Sequence, residues 1–419
     1  MSQHDALALL ALTLGAFLMP LLAERIGWFS APCEMIYGIV VANLLPQLRF
    51  DGQFISTLSE FGFLLLLFLA GLEIDFDMLR HQGARALLTS GLAALGIQVG
   101  AFWLTLILHL PVIYALLVGA ISVTVLMAIL HEAGMLHHPL GQRLLIIGAL
   151  GEFFSIIAVT AYDLIYSYGL DWQLAIAAGK LIALLILGYV GLRALMALSN
   201  VRSRTMRRLF SLRDSSELGV RAALALMLCF AAAALILRVE AILATFIAGA
   251  ICSFAFRGRN LVTEKLTTMG QGFFLPIFFI TVGTQVRFMD LLSPLALTLL
   301  VAVTMGLFGV RLAAIPLLRM AGVSLRQAVP AALMLSAPLS LMVAIAQVGV
   351  RLGALTSATA SAALGASIVS ATLFPLLARP FLLHEARASK RDFGGSTQPL
   401  PMPIALSTLD HLAHDEATA

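Results

Sequence analysis

Residues 138–166 read HPLGQRLLIIGALGEFFSIIAVTAYDLIY. The run is long and apolar enough to cross a bilayer core of about 30 Å as one helix, yet it carries a glutamate, Glu152, near its middle. A central acidic residue costs roughly 2.5–3.5 kcal/mol on insertion scales, so a carboxylate at this depth marks an ion or proton path. The competing reading is a structural glutamate paired with an arginine.

The rest of the chain has the same character. Of its 419 residues 60% are hydrophobic and only 11% charged, with a mean hydropathy of +0.99. Soluble domains are about a quarter charged, so an ordinary cytosolic enzyme is excluded. Thirteen spans are predicted: about 5–23, 31–47, 57–76, 85–109, 111–131, 138–166, 173–198, 216–236, 239–256, 270–286, 292–318, 326–349 and 354–383. No cleavable signal peptide is expected, because the first segment lacks a basic start and a small-residue cleavage site.

Eighteen Lys and Arg residues fall in one set of connections and the C-terminal tail, against four (Arg49, Arg238, Arg287 and Arg351) in the other. This asymmetry predicts a cytoplasmic tail and loop 199–215, with the N-terminus outside. The formal charge of +4 is therefore a topology signal and not a nucleic-acid footprint. Cys33, Cys229 and Cys252 have no paired spacing and read as packing residues. No nucleotide-binding fingerprint occurs.

The basic loop divides the chain into repeat one (about 5–166), a linker helix (173–198) and repeat two (about 216–383). The transmembrane domain is predicted over 1–383 and a flexible cytoplasmic tail over 384–419. An odd number of crossings between the halves sets them in opposite orientations, as in inverted-repeat transporters. Two interruptions occupy matched places. Gly119, Ser122 and Thr124 cluster in the fifth span; Ser336, Pro338 and Ser340 cluster in the twelfth. Pro338 removes a backbone donor and should unwind its helix, and such breaks are tolerated where they line a cavity or pack on protein.

Around Glu152, Ser155 is one turn on and offers a further oxygen, and Asp163 falls on the same face near the outer end. A hard cation such as Na⁺ takes oxygen ligands of this kind, with carbonyls of the broken span completing the shell. Arg311, inside the 292–318 span, either stabilises the carboxylate or the breaks, or snorkels to the cytoplasmic face. Glu73 and Asp75 are expected to cap or face cytoplasmic water. His131, His137 and His138 flank a cytoplasmic loop.

These residues together resemble the bacterial monovalent cation–proton antiporters, which include Na⁺/H⁺ and K⁺/H⁺ exchangers and the membrane part of potassium efflux systems. The likeness is carried by PCEMIYGIV (32–40), SEFGFLLLLFLAGLEID (59–75), VGAISVTVLMAILHEAG (118–134), GALGEFFSII (148–157), AILATFIAGAI (241–251) and FFLPIFFITVG (273–283). It implies an all-α membrane fold of thirteen helices in two inverted six-helix repeats, with two broken helices that cross, forming a homodimer that works by elevator-like alternating access. It implies Na⁺ or K⁺ and H⁺ as cargo, the lipid bilayer of the bacterial inner membrane as surroundings, and no enzyme activity, cofactor, nucleic acid or nucleotide-binding domain. The family's carboxylate pair falls on Gly151 and Glu152, so the first acid is missing here. The family's Ser/Thr matches Ser122 and Thr124, and its basic residue matches Arg311. One titrating carboxylate implies electroneutral 1:1 exchange. A cation channel or gated efflux pathway on the same fold, and a non-transporting scaffold or sensor, remain alternatives.

Overall fold

The computed structural model describes residues 3–74 except 46, 49 and 51, residues 83–169 except 137, residues 171–190 except 178, 181, 185, 187 and 189, and residues 217–237, 241–255 and 260–392. Asp75, His137, loop 199–215, much of the linker helix and most of the tail lie outside the described residues.

Every regular element among the described residues is helical. In chain order these are α1 (Gln3–Ile26), α2 (Ser30–Leu44), α3 (Gln53–Leu72), α4 (Gly83–Ile107), α5 (Val112–Gly119), α6 (Val123–Glu132), α7 (Pro139–Tyr168) and α8 (Trp172–Leu184). The second half holds α9 (Leu218–Leu237), α10 (Ala241–Ala255), α11 (Asn260–Met269), a π-turn at Gly270–Phe274, α12 (Leu275–Thr284) and α13 (Phe288–Leu291). It closes with α14 (Pro294–Ala313), α15 (Ile315–Met320), α16 (Leu325–Leu335), α17 (Leu339–Arg351) and α18 (Ser357–Asp392). Among the described residues nine stretches are long and apolar enough to cross a membrane, α16 and α17 form a tenth bent by 44°, and three shorter apolar helices sit at the remaining predicted spans.

Two boundaries differ from expectation. The tenth span begins at α11, well before residue 270, because the π-turn absorbs the donor lost at Pro276 and lets the helix run on. The eleventh is divided after Ala313, where Pro316 starts α15.

The helices sort into two bundles. In one, α2 packs on α12 and α3 on α10, with α1 and α9 alongside; in the other, α4, α5, α7, α14, α16, α17 and α18 pack together. The crossings of the first bundle are closed by glycines. A methyl group added at Gly38 or Gly283 would lie 2.1 or 2.2 Å from a carbonyl oxygen of the facing helix, and at Gly71 or Gly249 2.0 Å. Bare backbone therefore meets bare backbone at both crossings. Between the bundles, α7 meets α10 and α2 meets α18. Phe153 on α7 lies over Phe246 on α10 with ring centroids 6.3 Å apart.

Candidate functional site

Both helix breaks fall where the sequence places them. Between α5 and α6 the chain is extended from Ala120 to Ser122, in a run of β-branched and hydroxyl residues (ISVTV, 121–125) that favours extended backbone. Between α16 and α17, Ser336–Pro338 is unwound, and Pro338 offers no N–H to the carbonyls that end α16. The breaks meet: the Ser122 and Ser340 hydroxyls are 2.9 Å apart.

Glu152 projects from α7 into this crossing and is almost fully buried. Its Oε1 accepts the Ser122 hydroxyl at 3.1 Å and its Oε2 accepts the Val123 amide at 3.0 Å. Val123 is the first residue of α6, so the carboxylate faces the positive end of a half-helix. With Ser122 donating to Glu152, the Ser340 hydroxyl donates to Ser122.

Arg311 takes the opposite ends. Fully buried on α14, it donates from Nε to Leu335 O at 3.1 Å and from one terminal nitrogen to Leu307 O at 2.9 Å and to Val118 O. The other terminal nitrogen donates to Ala120 O. Leu335 closes α16, and Val118 and Ala120 close α5, so one guanidinium satisfies carbonyls left open by both breaks. No ion pair among the described residues joins Arg311 to Glu152. Snorkelling is likewise excluded by its burial.

Ser155 and Asp163 stand elsewhere than expected. The Ser155 hydroxyl donates to Gly151 O at 2.7 Å, accepts the Ile121 amide at 3.2 Å and receives the Gln98 side-chain amide. It secures the break and has little left to offer a cation. Asp163 accepts from Arg351 at 3.0 Å at the far end of α7, about 16 Å along the axis from Glu152. Gln98 went unnoticed in the sequence, although a lone amide inside the apolar run GIQVGAFW (96–103) is itself a signal.

Glu73 is more central than the sequence suggested. It ends α3 in the other bundle and turns inward, where Oε2 accepts the Thr124 hydroxyl at 3.3 Å. Its carboxyl group lies within electrostatic reach of Glu152. Thr124 therefore serves Glu73 and Ser122 serves Glu152, and the two acids approach from opposite bundles. Gly151 is buried against Ile121, and a Cβ there would sit 2.5–2.9 Å from that side chain, so the break occupies the space a first acid would need. His138 caps α7, its Nδ1 accepting the Leu140 amide at 3.2 Å.

An open cavity of about 870 Å³ separates the bundles at the end where Arg351 lies. Ser59, Glu60, Thr281 and Gln285 line it on one side and Gln347 and Arg351 on the other. The buried Thr281 hydroxyl has no hydrogen-bond partner among the described residues. At the opposite end the cleft between Trp28, Ile129 and Arg379 holds only about 60 Å³.

Comparison with known proteins bears on the fold and the family. A family model described as sodium/hydrogen exchanger, transmembrane, matches residues 13–384. The chain is 25% identical to the putative Na(+)/H(+) antiporter YjbQ of Bacillus subtilis, over 97% of this chain and 68% of that protein. It is 24% identical to the Na(+)/H(+)-K(+) antiporter GerN of Bacillus cereus, over 64% of this chain and 68% of that one. The solved structure of the sodium proton antiporter MjNhaP1 from Methanocaldococcus jannaschii superposes with a TM-score of 0.64 at 14% identity, covering 92% of this chain and 98% of that one. With a match that runs from α1 into α18 and takes in both breaks, the chain belongs to the sodium/hydrogen exchanger family of transmembrane proteins.

Proposed function

We infer that the chain is a secondary cation–proton antiporter that exchanges one monovalent cation, Na⁺ or K⁺, for one proton across a bacterial inner membrane. The observation that carries this reading is the buried Glu152 carboxylate, held by the Ser122 hydroxyl and the Val123 amide at the meeting of two unwound helices. Such a group holds a proton or a cation but not both, which is the competition antiport requires. Glu73, with Thr124, supplies the second wall of the site.

Because Glu152 belongs to one bundle and Glu73 to the other, movement of one bundle past the other parts the two acids. The cavity on one side and the tight cleft on the other support an outward-open state of an elevator-like cycle. In this reading the glycine-locked bundle stays fixed and forms the homodimer. Orientation follows the arginine count, with the N-terminus outside and the tail inside.

The test is proton flux in proteoliposomes carrying a pH-sensitive dye, made acid inside and challenged in turn with Na⁺, K⁺ and Li⁺. Cation-dependent alkalinisation that is lost in Glu152→Gln supports antiport and names the ion. Cation conduction without proton counterflow would replace the reading with a channel.

A further inference from the structure

A second cavity lies wholly within the Glu152-bearing bundle, at the end that the arginine count assigns to the cytoplasm. It is open, holds about 390 Å³, and is lined by Arg85, Thr89 and Ser90 of α4, Arg143 of α7, and Met320 and Gly322 at the end of α15. The antiport chemistry at Glu152 uses none of these residues.

Its charge is one-sided. Helices α4, α15 and α16, and α7 up to Gly151, carry no acidic residue, while Arg85, Arg143, Arg319 and Arg326 all fall at this end. Arg143 is also positioned: it donates to Gly322 O in a left-handed turn (φ +89°), which holds the guanidinium at the cavity wall. Thr89 and Ser90 add hydroxyls to the same wall. Two guanidinium groups with hydroxyl donors suit a phosphate oxyanion, since arginine presents paired donors in a fixed fork.

The rim is apolar and turned outward. Leu88 is 65% exposed, Met320 60% and Leu325 63%, and Leu92 and Leu95 continue the stripe along α4. In a spanning helix this exposed stripe faces acyl chains. A phosphate site opening onto it fits a headgroup with its tails alongside, and basic pockets between spans at this membrane level are where anionic headgroups are held.

We propose that Arg85 and Arg143 form a binding site for the phosphate of an anionic glycerophospholipid of the cytoplasmic leaflet. Free inorganic phosphate shares the oxyanion chemistry but not the acyl stripe.

The experiment is native mass spectrometry of the purified, delipidated full chain titrated with phosphatidylglycerol or phosphatidylethanolamine. Parallel arms contain excess inorganic phosphate. Wild type should retain phosphatidylglycerol preferentially and keep it in phosphate, and each arginine removed should weaken binding about fivefold. Unchanged retention in the Arg85→Gln/Arg143→Gln double variant would overturn the proposal, as would displacement by inorganic phosphate. Should loss of the Arg143–Gly322 bond prevent folding of the double variant, Arg85→Gln alone leaves that bond intact. It must still weaken phosphatidylglycerol binding, and unchanged binding would overturn the proposal equally.

Discussion

Ser122 and Glu152 are joined by a 3.1 Å hydrogen bond across thirty residues of chain, and the same carboxylate accepts the amide that begins the next half-helix. The site's acid is thus held by donors that exist only because the fifth span is interrupted. Glu152→Gln keeps the side-chain volume and most of the packing, and costs about 1 kcal/mol for one imperfect hydrogen bond. The variant should purify as a folded, monodisperse protein whose cation-driven proton flux falls to the liposome background. Aggregation on size-exclusion chromatography would instead mark Glu152 as structural.

Arg311 is predicted to matter for folding before transport. Replacing it with Met leaves the three buried carbonyl oxygens at the breaks, of Leu335, Val118 and Ala120, short of a donor, each worth about 1–3 kcal/mol. Arg311→Met should lower the thermal unfolding midpoint far more than Glu152→Gln does, and Arg311→Lys, with one point charge, should recover only part. A wild-type melting curve for Arg311→Met would remove the carbonyl clamp.

Thr124→Val preserves shape and deletes the donor to Glu73. The change should alter the apparent affinity for the cation about tenfold or more, since charge-assisted hydrogen bonds contribute about 1.5–3 kcal/mol. Initial rates against cation concentration decide this. A shift no larger than that of a lipid-facing control would separate Glu73 from the site.

Electroneutral exchange predicts initial rates that do not change when a membrane potential is imposed across vesicles with symmetric cation. A rate that follows the potential would mean that Glu73 releases a proton along with Glu152.

Gly151→Asp supplies the first acid that the family resemblance implies but drives its Cβ into Ile121. Alone it should reduce folded yield, with overpacking costing about 1–3 kcal/mol. Ile121→Ala in the same chain should recover the yield. Asp163→Asn, by contrast, breaks an ion pair whose arginine is half exposed, which is worth under about 1 kcal/mol, and antiport should persist.

The sequence made the membrane class, the central carboxylate and both breaks legible, because each depends on composition or local backbone chemistry. It did not reveal partners chosen by helix rotation. Ser155 lies one turn from Glu152 and faces the break; Asp163 shares the face of Glu152 but sits too far along the axis. The Glu73 side chain turns inward at the end of an apolar run, a direction set by α6 and not by its neighbours in sequence. The Arg311 alternatives were separated only by carbonyl positions nearly 200 residues away in the chain.

In the elevator-like cycle proposed above, the four glycines at Gly38, Gly71, Gly249 and Gly283 make one bundle the fixed part. With carbonyl oxygens seated on bare Cα atoms, neither crossing has slack, and any sliding would drive a helix into its neighbour within a fraction of an ångström. The seam between the bundles is faced differently: flat rings such as Phe153 and Phe246 lie across it, and the Glu73–Thr124 hydrogen bond is a polar contact that sliding would break. In that reading the chain has a rigid clamp within one bundle and a smoother bearing where the bundles meet.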